Sequence, residues 1–243
     1  MPSPRPYWVY DPVSQRYRNL RNGRYIDQDE LRSLRNEFAE ALREETDRIA
    51  QRLFDGVSSI QDWVLEMRTL IKDAYIAQYA ASIGGMQYMT QSDYGRIGAM
   101  LSSQNRGQYW YLQQFAEAIA RGELSEAQIR ARAALYGYSS VQAFERGKAR
   151  LYGLTLPAYP GDGTTACLSN CKCGWRIRET NLAYYCTWTL GIAEHCSDCV
   201  DRAGMWSPLV LLKGFAVNSI RSVVDDAFVQ GLEWYAERWR SAH

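Results

Sequence analysis

Residues 167–199 read CLSNCKCGWRIRETNLAYYCTWTLGIAEHCSDC, and all six cysteines of the 243-residue chain lie within them. The pattern is Cys167-x3-Cys171-x-Cys173, then Cys186, then His195-Cys196-x2-Cys199. A C-x2-C pair lets two thiolates reach one tetrahedral ion at about 2.3 Å, and a second cluster must supply the remaining ligands. Crowding into one short segment is how a local metal site is built, whereas a disulfide framework usually staples distant segments. In extended backbone Cys171 and Cys173 share a face, so both can turn toward one ion. The expectation is a structural zinc held by Cys196 and Cys199 with two of Cys167, Cys171 and Cys173. His195 and Cys186 stand in reserve, and Cys186 is the least suited because it sits alone at the start of a predicted strand. Buried small hydrophobes and disulfides are the competing readings of the same thiols.

Between the two cysteine clusters, Gly174–Arg178 and Thr187–Leu190 read as short strands joined around Thr180 and Asn181, each carrying a tryptophan, Trp175 and Trp188. Upstream, LPAYPGDGTTA at 156–166 bars regular structure with two prolines and two glycines. Before it, residues 27–153 read as an all-helical body. Asp27 is a good N-cap with Glu30 three positions on, and Leu31, Leu34, Phe38, Leu42, Ile49 and Leu53 recur at helical spacing up to Gly56. A second helix follows Ser58 through Ile60, Val64, Met67, Ile71, Ala74 and Tyr75 to Gly84-Gly85, and pairs most simply antiparallel with the first. Shorter helices follow. Thr90 with Asp93 and Ser125 with Gln128 mark two starts, and Tyr109, Leu112, Phe115 and Ile119 stripe a helix that ends at Gly122. Gly137 and Gly153 read as further helix ends. Beyond Pro208, the stripe Val217, Ile220, Val224, Phe228, Leu232 and Tyr235 predicts a long helix docking back on the body.

The fold expected is therefore mainly α: an N-terminal β-hairpin or extended arm (1–26), a helical body (27–153), a zinc-stapled β-hairpin module (154–208) and a C-terminal helix (209–243). Residues 1–35 hold seven arginines against four acids, interleaved with Tyr7, Trp8, Tyr10, Tyr17 and Tyr25. Such a mixture can hold phosphates and stack on bases, but Tyr, Trp and Arg are also the residues enriched at protein interfaces. The arm is read as a docking element using Tyr7, Trp8, Tyr10, Arg16, Arg18 and Arg24. Lysine and arginine number 28 against 27 acids, a net charge of +1, which argues against a protein that coats nucleic acid. No apolar run approaches the roughly 18 residues of a membrane span, and the start lacks a signal-peptide core. The chain is expected in a reducing cytoplasm, where free thiolates favour zinc.

Catalysis finds little footing. A catalytic zinc keeps an open position beside a general base, and zinc deaminases carry H-x-E with P-C-x-x-C. Here the order is Glu194-His195-Cys196, and the chain has only two histidines, His195 and His243. The Gly161-Asp162-Gly163 turn lacks the Lys-Ser/Thr of a phosphate loop, and the acid pairs Glu44-Glu45 and Asp225-Asp226 suit solvated helix faces.

The segments PGDGTTACLSNCKCGWRI and WTLGIAEHCSDC resemble the phage head-morphogenesis proteins, the Mu F-like minor capsid family, most closely over residues 157–206. That family carries a C-x2-C pair and an N-C-x-C element in one small domain, matched here by Cys196-x2-Cys199 and Asn170-Cys171-Lys172-Cys173. Here the two motifs occur in reversed order, and Cys167 stands where the family has a histidine, which implies an all-cysteine ligand set. RYRNLRNGRYIDQDELR, MTQSDYGRIG and GELSEAQIRARAALYG are similar to phage proteins encoded near the portal and capsid. The resemblance implies a non-enzymatic minor head protein of the virion, present in the host cytoplasm during assembly. It would contact portal or capsid proteins and DNA entering or leaving the head, with no membrane or small-molecule substrate. A zinc-dependent DNA-binding protein and a zinc hydrolase or deaminase acting through His195 and Glu194 are the alternatives.

Overall fold

In the computed structural model, which describes residues 4–103, 107–168, 171–191 and 194–213, Asp27 caps α1 (Gln28–Phe54). Its carboxylate accepts from the Asp29 and Glu30 amides at 2.9 and 2.8 Å, satisfying donors the first turn leaves free. Ser59, Thr90 and Ser125 make reciprocal capping boxes with Asp62, Asp93 and Gln128, and these open α2 (Ile60–Ile83), α3 (Gln91–Ser102) and α5 (Glu126–Ser139). With α4 (Gln108–Ala120) and α6 (Val141–Leu151) they form the helical body. Leu31, Leu34, Phe38, Leu42 and Ile49 of α1 are buried in one core with Trp63, Met67, Tyr75 and Tyr79 of α2.

The pairing of the helices differs from the simplest reading. α1 packs most extensively on α5, and α2 on α6, with the α1–α2 contact smaller than either. Two glycines show why. A Cβ on Gly137 would meet the Ala39 carbonyl at 3.0 Å and the Arg43 amide at 3.2 Å, so α5 can lie against the α1 backbone only with glycine there. A Cβ on Gly147 would overlap Ser82 Oγ and sit 3.1 Å from the Tyr79 carbonyl. Gly137, read from sequence as a helix end, is thus a close-approach position inside α5.

The N-terminal residues form a three-stranded antiparallel sheet, β1 (Trp8–Asp11), β2 (Arg16–Asn19) and β3 (Tyr25–Ile26) in that order. Alternation turns Trp8, Tyr10, Tyr17 and Ile26 onto the body. Trp8 meets Phe38 and Phe144 edge-on at 5.9 and 6.4 Å, and Tyr17 lies 5.6 Å from Phe144. This corrects the docking-arm assignment for Trp8 and Tyr10, which are buried because the sheet must cover one apolar face. Tyr7, Arg16, Arg18 and Arg24 remain exposed.

The cysteine-rich module contains β4 (Gly174–Glu179), β5 (Ala183–Thr189), α7 (Ser197–Met205) and β6 (Leu209–Leu212), with the strands antiparallel in the order β4-β5-β6. Two expectations change here. β5 begins earlier than predicted, so Cys186 lies within the strand, opposite Ile177 and Leu209. Residues 209–212, assigned to the terminal helix, are instead a third strand, because β5 pairs on both edges and β6 completes its hydrogen bonds. The stripe from Val217 to Tyr235 lies outside the described residues. Trp175, Trp188 and Trp206 pack mutually, with ring centroids 5.2 to 5.8 Å apart, and form the heart of this small core.

Body and module meet at Glu145, whose side chain is fully buried. The carboxylate pairs with Arg35 of α1 at 2.8 Å and with Lys148 at 2.7 Å, and it accepts the Trp175 amide at 3.0 Å. Lys148 Nζ in turn donates to the Trp175 carbonyl. Burial pushes the carboxyl up, but the charges of Lys148 and Arg35 outweigh this and hold it below the usual range. Its stabilisation is thus present above the unfolded-state value and is lost as pH falls through the lower folded value. Glu145→Ala should lower stability by about 3–5 kcal/mol in denaturant titrations, because two buried cations and an amide lose their partner. The exposed Glu123→Gln should leave the midpoint unchanged.

Candidate metal centre

Three segments bring the thiols together. The turn at 164–168 carries Cys167, the strand approach before β4 carries Cys171 and Cys173, and the first turn of α7 carries Cys199, with Cys196 as its N-cap residue. Asp198 fixes the first segment to the third by accepting the Ala166 amide at 2.7 Å. Arg202, one turn on, donates to the Thr164 carbonyl and hydroxyl at 2.9 and 3.0 Å. Arg202 also lies over the rings of Trp188 and Trp206, at 5.4 and 5.7 Å, and so ties the ligand loop to the module's core.

The sulfurs of Cys167, Cys171 and Cys199 all lie within 4.8 Å of one another. Cys199 Sγ is 3.8 Å from that of Cys167 and 3.6 Å from that of Cys171. Four sulfurs arranged tetrahedrally at about 2.3 Å from an ion lie about 3.8 Å apart, so these spacings fit a metal-centred set. All six cysteines are free thiols. The Cys196 thiol neighbours those of Cys167 and Cys199, and Cys173 neighbours Cys171 and Cys199. The predicted pool of five cysteines is therefore brought together, and the cluster can hold a metal ion. His195 Nδ1 stands 4.0 Å from Cys173 Sγ, beside the cluster, while Glu194 is exposed. Cys186 is fully buried in the module core near Lys148 and takes no part in the trio.

Crowded thiols resist ionising together. Burial, followed by the neighbouring Cys171, pushes Cys199 up, while the Cys173 thiol and burial push Cys171 up. Burial also raises Cys167, to about 11. Burial raises Cys196 as well, but the backbone amides of Cys199 and Cys167 and those residues' thiols outweigh it, placing Cys196 below its ordinary range. A divalent cation relieves this mutual repulsion by replacing the protons that keep the thiols neutral.

Compared with models of known protein families, with curated proteins and with solved structures, the chain matches none.

Two outcomes are expected of a cobalt titration followed by thiolate charge-transfer absorption. Cys199→Ser should abolish tight binding, whereas Cys186→Ala should keep the wild-type stoichiometry. Because ions displace protons from raised thiols, affinity should fall by at least about tenfold for each pH unit below neutrality. A pH-independent affinity would mean that the thiols are not the ligands.

Proposed function

We propose that this chain is a structural zinc protein serving as a minor component of a phage head, with no catalytic step of its own. The observation that carries the zinc reading is the tetrahedral spacing of the Cys167, Cys171 and Cys199 sulfurs at 3.6 and 3.8 Å from one another through Cys199. The fourth ligand in this reading is Cys196, which neighbours two of the three and shares the start of α7 with Cys199. Thiolate-only sets favour zinc among the divalent ions and leave no open position for water. Structural zinc binding is worth roughly 10–16 kcal/mol in small domains, ample for a module whose core is three tryptophans and a few aliphatics. The role in the head rests on the sequence resemblance over residues 157–206. The exposed Tyr7, Arg16, Arg18 and Arg24 on the N-terminal sheet offer the surface for portal or capsid proteins.

Native mass spectrometry of protein purified under reducing conditions should show one zinc per chain, retained in Cys173→Ser and lost in Cys196→Ser. Chelation should shift tryptophan fluorescence through Trp175, Trp188 and Trp206 while most helical circular dichroism persists. Absence of metal overturns the zinc reading. For the head, antibody against the chain should label DNA-filled particles banded from an induced lysogen that carries the gene. Label confined to the particle-free fraction overturns the virion role and leaves the metal centre standing.

A further inference from the structure

A cleft of about 1140 Å³ lies where α3, α4, α5 and α6 face the segment 153–164, and no part of the metal centre's chemistry uses it. Its wall is basic, with Arg96, Arg132, Arg146 and Arg150 against Asp93 and Asp162. Both carboxylates are already committed. Asp93 is buried, accepts from Tyr79 at 2.8 Å, and pairs with Arg150 at 2.9 Å and Arg96 at 3.4 Å. Asp162 accepts the backbone amides of Tyr159 and Thr164 at 2.8 and 3.0 Å and closes its own turn.

Arg132 and Arg146 are different. Neither pairs with a carboxylate among the described residues, and each guanidinium lies over a ring, Arg132 over Phe115 at 4.6 Å and Arg146 over Tyr159 at 4.3 Å. The Gln142 amide, turned so that its oxygen faces Arg146, takes Nε and Nη2 at 3.2 Å. Stacking holds a guanidinium plane in place through its face, which leaves the in-plane N–H donors of Arg132 and the Nη1 donors of Arg146, beyond the edge Gln142 takes, for an anion. Tyr111, 43% exposed and nearly at right angles to Trp110 with ring centroids 5.0 Å apart, lines the same cleft.

We propose that this cleft binds a nucleotide. Arg132 and Arg146 hold the phosphate, and Tyr111 stacks on the base. A phosphate has the oxygens and the charge to engage two guanidiniums from separate helices, and base stacking on an aromatic ring is worth about 1–3 kcal/mol. The volume exceeds the several hundred Å³ of an ordinary small-molecule pocket, so it has room for a free nucleotide or for a few residues of a single strand. Arg202 of α7 anchors the cleft wall at Thr164, three residues before Cys167, so the metal module positions one side of the site.

The test uses the full chain with ADP, adenosine, inorganic phosphate, a short oligothymidylate and polyglutamate, read by calorimetry. ADP, the oligonucleotide or both should bind saturably at one site, with adenosine and inorganic phosphate each at least about tenfold weaker than ADP. The preference between ADP and the oligonucleotide identifies a free nucleotide or a strand as the source. Arg132→Gln with Arg146→Gln should weaken binding at least tenfold while the helical circular dichroism stays that of the wild type, the lost ring contacts lowering the thermal midpoint by only a few degrees. Tyr111→Ala, at an exposed ring, should weaken ADP but leave inorganic phosphate unchanged. Four results would each overturn the proposal: no saturable binding of any phosphate probe, affinity untouched by the arginine variants, inorganic phosphate as tight as ADP, or polyglutamate as tight as ADP. Retention of ADP by zinc-free Cys199→Ser separates this site from the metal reading.

Discussion

The buried carboxylate of Glu145 is the constraint on which the arrangement of the two parts depends. Taking a carboxylate out of water costs several kcal/mol unless it is fully paired, and here the pairing comes from three different elements. Arg35 belongs to the first helix, Lys148 to the same helix as Glu145, and the Trp175 amide to the first strand of the cysteine module. The body and the module satisfy one charge between them, so neither can shift without leaving that charge unpaired. The same contact fixes Trp175, whose indole Nε1 donates to the Ala158 carbonyl at 2.9 Å, and with it the tryptophan trio.

From that anchored strand the thiol cluster is built outward. Trp175 and Trp188 hold the hairpin, Arg202 stacks on Trp188 and Trp206, and its guanidinium reaches the Thr164 loop that carries Cys167. Asp198 joins the same loop to the start of α7. The thiols are therefore gathered by polar and aromatic contacts from three segments, and a divalent cation held among them would relieve the repulsion of their ionised forms. A preorganised set of this kind would spend little binding energy on ordering its ligands.

Local signals in the chain survived folding where they were self-contained. The caps at Asp27, Thr90 and Ser125 and the stripe on α1 stand where the residues place them, since a cap needs only its own first turn. Readings that depended on a neighbour fared differently. Trp8 and Tyr10 look like interface residues until a sheet lays Trp8 against Phe38 and Phe144 and Tyr10 against Tyr17, and aromatic residues suit a core and an interface equally. Gly137 looks like punctuation until the backbone of α1 is beside it. The short apolar run at 209–212 fits either a helix or a strand, and the free edge of β5 decided for strand.

The sequence by itself determined which residue types could make a metal centre: cysteines confined to one segment, spaced so that two pairs could meet across a hairpin. It also determined the helical body, whose periodicity and caps are encoded residue by residue. Only the tertiary structure decided which thiols meet. Cys186, already set apart by its isolated position in the sequence, is turned by its strand into the core beside Lys148, while Cys167 and Cys199, far apart along the chain, come within 3.8 Å. Strand alternation and the fold of the Thr164 loop set those directions, and neither is written in the spacing of the cysteines. The same holds for the arginine cleft, whose walls come from four helices and a loop that are brought together only by packing.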